Sequence, residues 1–230
     1  MGGALFLNKR CKSMQNKRYI AYGISGAAFL IFGIFLISVL THATWISGYD
    51  RFGNELLRHG FTKQRIDVVA FWTNIGGVTF ITWLTIIAMA VFILAKHYTI
   101  GIWFGLTVLI GAAVIPSILK HTIQRPRPAY KLIPEGGYSF PSGHSSGSTI
   151  FYGMLLVCLL LFIRKQWIRW TILLGGIILI LLIMASRVYL GVHYFSDITA
   201  GFLFGIGIVI LSSSLLHWFR EKKPHFFKSS

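Results

Sequence analysis

The chain has 230 residues, 55% of them hydrophobic and only 12% charged, with a mean hydropathy of +0.69. A water-soluble domain of this length needs far more polar surface, so composition places the chain in a membrane. Its 22 Lys and Arg against 6 Asp and Glu give a net charge of +16. These basic residues cluster between apolar runs, which suits membrane topology and not a nucleic-acid surface.

The first apolar run, Tyr19–Leu40, follows a basic stretch and is long enough to cross a bilayer. No small-residue cleavage site follows it, so it reads as an uncleaved span and not a signal peptide. The segment His42–Ile66 alternates Asp50, Arg51, Glu55, Arg58 and Lys63 with Phe52, Leu56, Leu57 and Phe61. That spacing predicts a short amphipathic helix on the membrane surface, acting as a wall, a lid or a plain connector. Further spans are expected at Val78–Ala95, Ile100–Leu119, Ser146–Ile163, Trp170–Ala185 and Ile198–Trp218. The second span starts as early as Val68 if Gly76-Gly77 merely bends it. The expected fold is therefore all-α and integral to the membrane: a six-transmembrane-helix bundle with a short amphipathic outer segment. It forms one domain over residues 1–230, with basic tails at about 1–18 and 219–230.

Smaller features fit this frame. Trp45, Trp103, Trp167 and Trp218 fall near expected interfaces, as aromatic anchors do. Gly201 and Gly205 are spaced for close packing inside the bundle. Cys11 and Cys158 match neither a disulfide framework nor a zinc site.

With the N-terminus inside, the inner segments carry 13 Lys and Arg and the outer segments 9. The excess predicts cytoplasmic termini. Three polar blocks then share the outer face. The first runs from Lys120 to Arg127-Pro128, the second is Pro141-Ser142-Gly143-His144, and the third runs from Ser186-Arg187 through His193 to Asp197.

Each block has a plain reading beside a chemical one. His193 and Asp197, four residues apart, share one helical face. Asp197 then fixes the imidazole tautomer and leaves the other ring nitrogen free to attack; alternatively the pair only satisfies itself near the interface. Ser142 caps the next helix, Gly143 permits close backbone approach, and His144 stands at a helix mouth suited to an anion. The same four residues also describe an ordinary helix start. Lys120, Arg127 and Arg187 are either interfacial anchors or a clamp for phosphoryl oxygens.

Taken together, the blocks resemble the three-part signature of the type 2 phosphatidic acid phosphatase family, whose site is related to that of vanadium haloperoxidases. Every position of Lys-x6-Arg-Pro, Pro-Ser-Gly-His and Ser-Arg-x5-His-x3-Asp is filled. The resemblance implies His193 as nucleophile through a phosphohistidine, Asp197 as its orienting partner and His144 as general acid. It implies a phosphate held by Lys120, Arg127, Arg187 and the backbone amides of Ser142 and Gly143. No metal or other cofactor is implied, and no nucleic-acid partner. The expected substrate is a membrane lipid phosphate or diphosphate: phosphatidylglycerol phosphate, undecaprenyl diphosphate or phosphatidic acid. The intact glycine of the second block leans toward the phosphatidylglycerophosphatase branch. The rival reading is a transporter or channel that binds phosphate without hydrolysis.

Overall fold

The computed structural model describes the backbone of residues 2–222 and the side chains of 15, 16 and 18–222. The expected basic residues Lys9, Arg10, Lys12, Lys17, Lys223 and Lys228, together with Cys11, lie outside the described side chains. Nine α-helices make up the described chain: α1 Gly2–Leu40, α2 Thr44–Leu57, α3 Lys63–Thr73, α4 Val78–Leu94, α5 Tyr98–Val108, α6 Ile115–Ile123, α7 Gly143–Phe162, α8 Gln166–Tyr189 and α9 Phe195–Lys222. A 3₁₀ turn at Asn74–Gly76 links α3 to α4, and a π-helical stretch at Leu109–Val114 links α5 to α6. Six segments are long and apolar enough to cross a membrane: Arg18–Leu40, Lys63–Leu94, Tyr98–Ile123, Gly143–Phe162, Gln166–Tyr189 and Phe195–Lys222. The chain is an all-α, multi-pass membrane protein.

Several expected boundaries move. The second span begins at Lys63, not Val68 or Val78, and runs through Gly76-Gly77 as one bent 32-residue segment. Its start is a capped one: the Thr62 hydroxyl accepts the Arg65 N–H at 3.2 Å. The amphipathic element correspondingly shrinks from His42–Ile66 to α2 alone. The expected basic stretch before Tyr19 is helical, because α1 runs from Gly2, and the membrane-crossing part of that helix begins at Arg18. The fifth span is longer at both ends than Trp170–Ala185. Its entry is held by Arg169, which donates to the carbonyls of Leu160 and Ile163 at 2.7 and 3.0 Å.

Helix α9 packs between α1 and α7, and small residues allow the approach. A Cβ at Gly201 would lie 2.8 Å from the Ser142 carbonyl oxygen, and one at Gly205 only 2.6 Å from Thr149 Cβ. The Gly201/Gly205 spacing therefore packs the bundle internally, as expected. The core gathers Phe32, Phe104, Phe140, Ile150, Phe151, Met154 and Phe204. Trp103 departs from its expected role: it packs against this core and donates to the Ser212 carbonyl at 3.3 Å. Trp45, Trp167 and Trp218 are exposed.

Arg18 and Glu221 pair at 3.0 Å, tying the start of the first span to the end of the last. Both therefore lie at one end of the bundle. Twenty-eight residues of α9, at about 1.5 Å each, place the start of α9 at the opposite end.

Candidate active site

At that opposite end the three blocks converge. The first arrives at the end of α6, where Pro116 near the helix start and the left-handed Gln124 at its close confine Lys120 and His121 to the last turn. The second block is the mouth of α7, and the third spans the tight turn from α8 to α9.

His193 and Asp197 meet, with Nδ1 to Oδ2 at 3.4 Å. The geometry differs from the expected shared helical face. His193 precedes α9, and Asp197 sits in its first turn. The same Oδ2 also accepts the Tyr194 N–H at 2.9 Å. The carboxylate thus reaches back to the residue before the helix, as in a capping box, and joins the cap to the imidazole. An acidic side chain in the first turn of a helix is also electrostatically favoured.

The other imidazole nitrogen, Nε2, receives Arg127 Nη1 at 3.0 Å. A guanidinium only donates, so Nε2 carries the lone pair and the Nδ1–H points to Asp197. Both residues are sealed from solvent, His193 at 1% exposure and Asp197 at 0%. Burial, reinforced by the positive field of Arg127, Lys120 and Arg187, pushes the His193 pKa well below 6.5. The imidazole is therefore neutral at physiological pH, with its lone pair available.

Arg127 is fixed on three sides. Its Nε donates to the carbonyls of Gly136 and Gly137, and Nη1 also donates to Val192 O at 2.8 Å. Burial lowers its pKa from the ordinary arginine value, and the nearby Glu135 and Asp197 carboxylates offset part of that. Arg187 is 1% exposed, which excludes the interfacial anchor reading. Its Nη2 contacts Glu135 Oε2 at 2.5 Å, and among the described residues its buried Nε has no hydrogen-bond partner. Glu135 also reaches Arg127 Nη2 at 3.6 Å. A single carboxylate thus bridges two guanidiniums, where a phosphoryl group would fit by charge and shape. Lys120 Nζ donates to Tyr138 O at 2.7 Å, and its Cε lies 3.9 Å from a Cβ built on Gly143.

Ser142 serves the frame more than the anion. Its N–H donates to the Asp197 carbonyl at 3.1 Å, and its hydroxyl caps α7 by accepting the Ser145 N–H at 3.4 Å. The expected Ser142 amide contact is therefore already engaged, and the helix-mouth amides open to an anion begin at Gly143. His144 lies in the positive field of Arg187, Arg127 and Lys120. Its Nε2 lies 3.6 Å from a Cβ built on Gly77, which places the ring against the bend of the second span. An apolar crevice of about 230 Å³ opens beside it, lined by Gly76, Ile81, Gly105, Ala112, Gly143 and Gly147.

Three charged residues at the site are not marked as site residues by the sequence: Arg125, Asp50 and Glu135. Arg125 lies inside the first block and bonds Asp197 Oδ1 at 2.6 Å, Ser196 Oγ at 2.8 Å and Asp50 Oδ2 at 2.7 Å. Burial opposes its charge, but Asp197 and Asp50 outweigh that and hold its pKa above the ordinary value. Asp50, expected on a solvated face, is 7% exposed and turned inward from α2. Among the described residues, no three His, Cys, Asp or Glu side chains gather as metal ligands.

Residues 101–221, which include all three blocks, match the PAP2 superfamily. The chain belongs to that superfamily. It is 33% identical over 168 residues to phosphatidylglycerophosphatase B of Bacillus subtilis, covering 70% of this chain and 77% of the relative. It is 34% identical over 137 residues to an undecaprenyl-diphosphatase of Sulfolobus acidocaldarius, covering 56% of this chain and 61% of the relative. A crystal structure of a transmembrane PAP2-type phosphatidylglycerolphosphate phosphatase from Bacillus subtilis aligns with a TM-score of 0.74 at 26% identity, covering 84% of this chain and 96% of that one. This PAP2 protein is accordingly a membrane lipid phosphatase.

Proposed function

We propose that the protein hydrolyses the terminal phosphate of a membrane lipid through a phosphohistidine on His193, without a metal ion. The observation that carries this reading is the polarity of His193: Nδ1 on Asp197, Nε2 facing a guanidinium. A site built only to hold phosphate has no use for an oriented, neutral imidazole at its centre, which argues against the transporter reading.

The steps follow from the residues. The phosphoryl group displaces Glu135 from Arg127 and Arg187, and Lys120 and the Gly143 amide complete the clamp. The Nε2 lone pair attacks phosphorus, the bond to the lipid oxygen breaks, and His144 gives that oxygen a proton. Asp197 stabilises the positive charge that develops on the imidazole. Water then attacks the phosphohistidine, His144 takes its proton, and the N–P bond returns its electron pair to Nε2 as phosphate leaves. Lys120, Arg127 and Arg187 supply the positive charge that equatorial oxygens need in the transition state.

The favoured substrate is phosphatidylglycerol phosphate, supported by the Bacillus relative's name and coverage and by the intact Pro-Ser-Gly-His block. The apolar crevice lined by α4, α5 and α7 reaches Gly143 and suits the part of a lipid nearest its phosphate. We place both termini in the cytoplasm and the site on the outer face, on the excess of inner Lys and Arg. The test is phosphate release by purified protein in detergent, with phosphatidylglycerol phosphate, undecaprenyl diphosphate and phosphatidic acid side by side. The first should turn over fastest, His193→Ala should be inactive, and excess EDTA should leave the rate unchanged. Near-normal turnover in His193→Ala, or a loss in EDTA restored by Mg²⁺, overturns the mechanism.

A further inference from the structure

Asp197 is held by more than its histidine. Its Oδ2 is shared by the His193 ring and the Tyr194 N–H, while its Oδ1 is taken by Arg125. Arg125 in turn spans from Asp197 to Asp50, with Nη1 on one carboxylate and Nη2 on the other. Its guanidinium also stacks 4.0 Å above the Tyr194 ring. Asp50 completes the circuit: its Oδ1 accepts the Ser196 N–H at 2.8 Å, in the first turn of α9. The sequence supplies only 6 acidic residues, and two of them are committed to this one arginine.

These contacts have a direction. A planar guanidinium offers two parallel forks, and here each fork meets a different carboxylate. Asp50 comes from α2, Arg125 from the segment after α6, and Asp197 from α9. Three elements that are distant in sequence are therefore joined at the back of the catalytic pair. A buried carboxylate rotates if one oxygen loses its partner, and its bond to Nδ1 rotates with it.

We propose that Arg125 and Asp50 are positioning residues of this phosphatase, fixing the Asp197 carboxylate and through it the attack angle of His193. The inference rests on the reading of His193 as nucleophile. It makes α2 part of the catalytic frame and not a connector between the first two spans. Neither residue touches the phosphate clamp: the residues that hold the anion are Lys120, Arg127, Arg187 and Gly143. The consequence is a selective defect. Loss of the Arg125 fork slows phosphoryl transfer and leaves substrate binding intact.

The experiment compares the parent with Arg125→Met, Arg125→Lys, Asp50→Asn and the Arg125→Met/Asp50→Asn pair, purified in detergent and checked for monodispersity and melting temperature. Steady-state turnover of phosphatidylglycerol phosphate gives kcat and KM, and acid quench with labelled substrate gives the rate of phosphoenzyme formation. In Arg125→Met, kcat and phosphoenzyme formation should fall at least tenfold with KM within a factor of two. Arg125→Lys should recover part of kcat, because an ammonium reaches Asp197 but cannot bridge both carboxylates. Asp50→Asn should show a smaller kcat loss, and the pair should fall no further than Arg125→Met alone. If Arg125→Met does not survive purification, the lysine and asparagine variants carry the same comparison. Parental kcat in these variants, or a defect confined to KM, overturns the proposal. His193→Ala run in parallel separates the two ideas. Turnover in His193→Ala removes the nucleophile itself. An inactive His193→Ala beside parental Arg125 and Asp50 variants removes only the positioning role.

Discussion

Substituting Gly201 by alanine tests how finely the two halves of the site are registered. A Cβ there would stand 2.8 Å from the Ser142 carbonyl oxygen, 3.1 Å from Ser145 Cβ and 3.2 Å from Ser146 N. The first and third are backbone atoms of the start of α7, which cannot turn aside as a side chain can. Relief requires α9 to retreat from α7 by about 0.5 Å, and such overpacking costs about 1–3 kcal/mol. Asp197 lies one turn above Gly201 and bonds Ser142 through its carbonyl. A retreat of α9 therefore carries His193 and Asp197 away from Gly143 and His144. A misplacement of about 1 Å costs about a hundredfold in rate, so about half of that should cost roughly tenfold in kcat. The assay is steady-state hydrolysis together with thermal melting of the same preparation. Gly175→Ala is the control, since its Cβ meets nothing within 4 Å. It should keep parental kcat. Parental kcat in Gly201→Ala would refute the claim that the α7–α9 contact sets the register of the two histidines.

Glu135→Gln removes the charge that bridges Arg127 and Arg187, so inhibition by orthophosphate or vanadate should tighten several-fold; weaker inhibition would show that Glu135 props the clamp and does not compete for it. His193 has a depressed pKa in the folded protein, so unfolding takes up its proton as pH falls below about 6.5, and stability is lost on the acid side. His193→Gln should therefore lose less melting temperature than the parent as pH falls below about 6.5, and an equal loss would contradict a neutral buried imidazole. For sidedness, a cysteine at Gly136 on a Cys-free background should react with a membrane-impermeant thiol reagent in intact cells, and one at Gln166 only after permeabilisation. The reverse pattern would move the site to the inner leaflet. Gly136 is the better probe position than its neighbour, because Gly137 has φ +69° and resists a side chain.

The six spans and the three blocks were legible because each leaves a local trace: a long apolar run, or a fixed spacing of reactive residues. What escaped has no such trace. Arg125 looked like one more cation in a basic stretch, and Asp50 like the polar face of a surface helix. Their pairing joins positions separated by 75 residues, and no periodicity reports that. Glu135 lies in an irregular loop, where neither period nor cap marks a side chain's direction. The early start of the second span is hidden by its charged beginning, with Lys63, Arg65 and Asp67 within the first five residues lowering the apparent hydropathy. The helical pairing of His193 with Asp197 failed for a different reason. Four residues is also the distance across a capped helix entry, and the two arrangements look identical in a sequence.

The π-helical stretch at Leu109–Val114 gives the third span a slack turn just ahead of its lysine. A π turn accommodates one residue more than an α turn. The extra residue is absorbed in the bulge, so the helices on either side keep nearly the phase and rise of an unbroken α-helix. Deleting one residue inside this stretch would therefore straighten the span and leave Lys120 beside Tyr138 and the anion clamp. A deletion in a regular α-helix has no such slack: everything beyond it swings by about 100° and slides by about 1.5 Å. The helix that delivers the lysine is thus the one that can lose a codon and still deliver it.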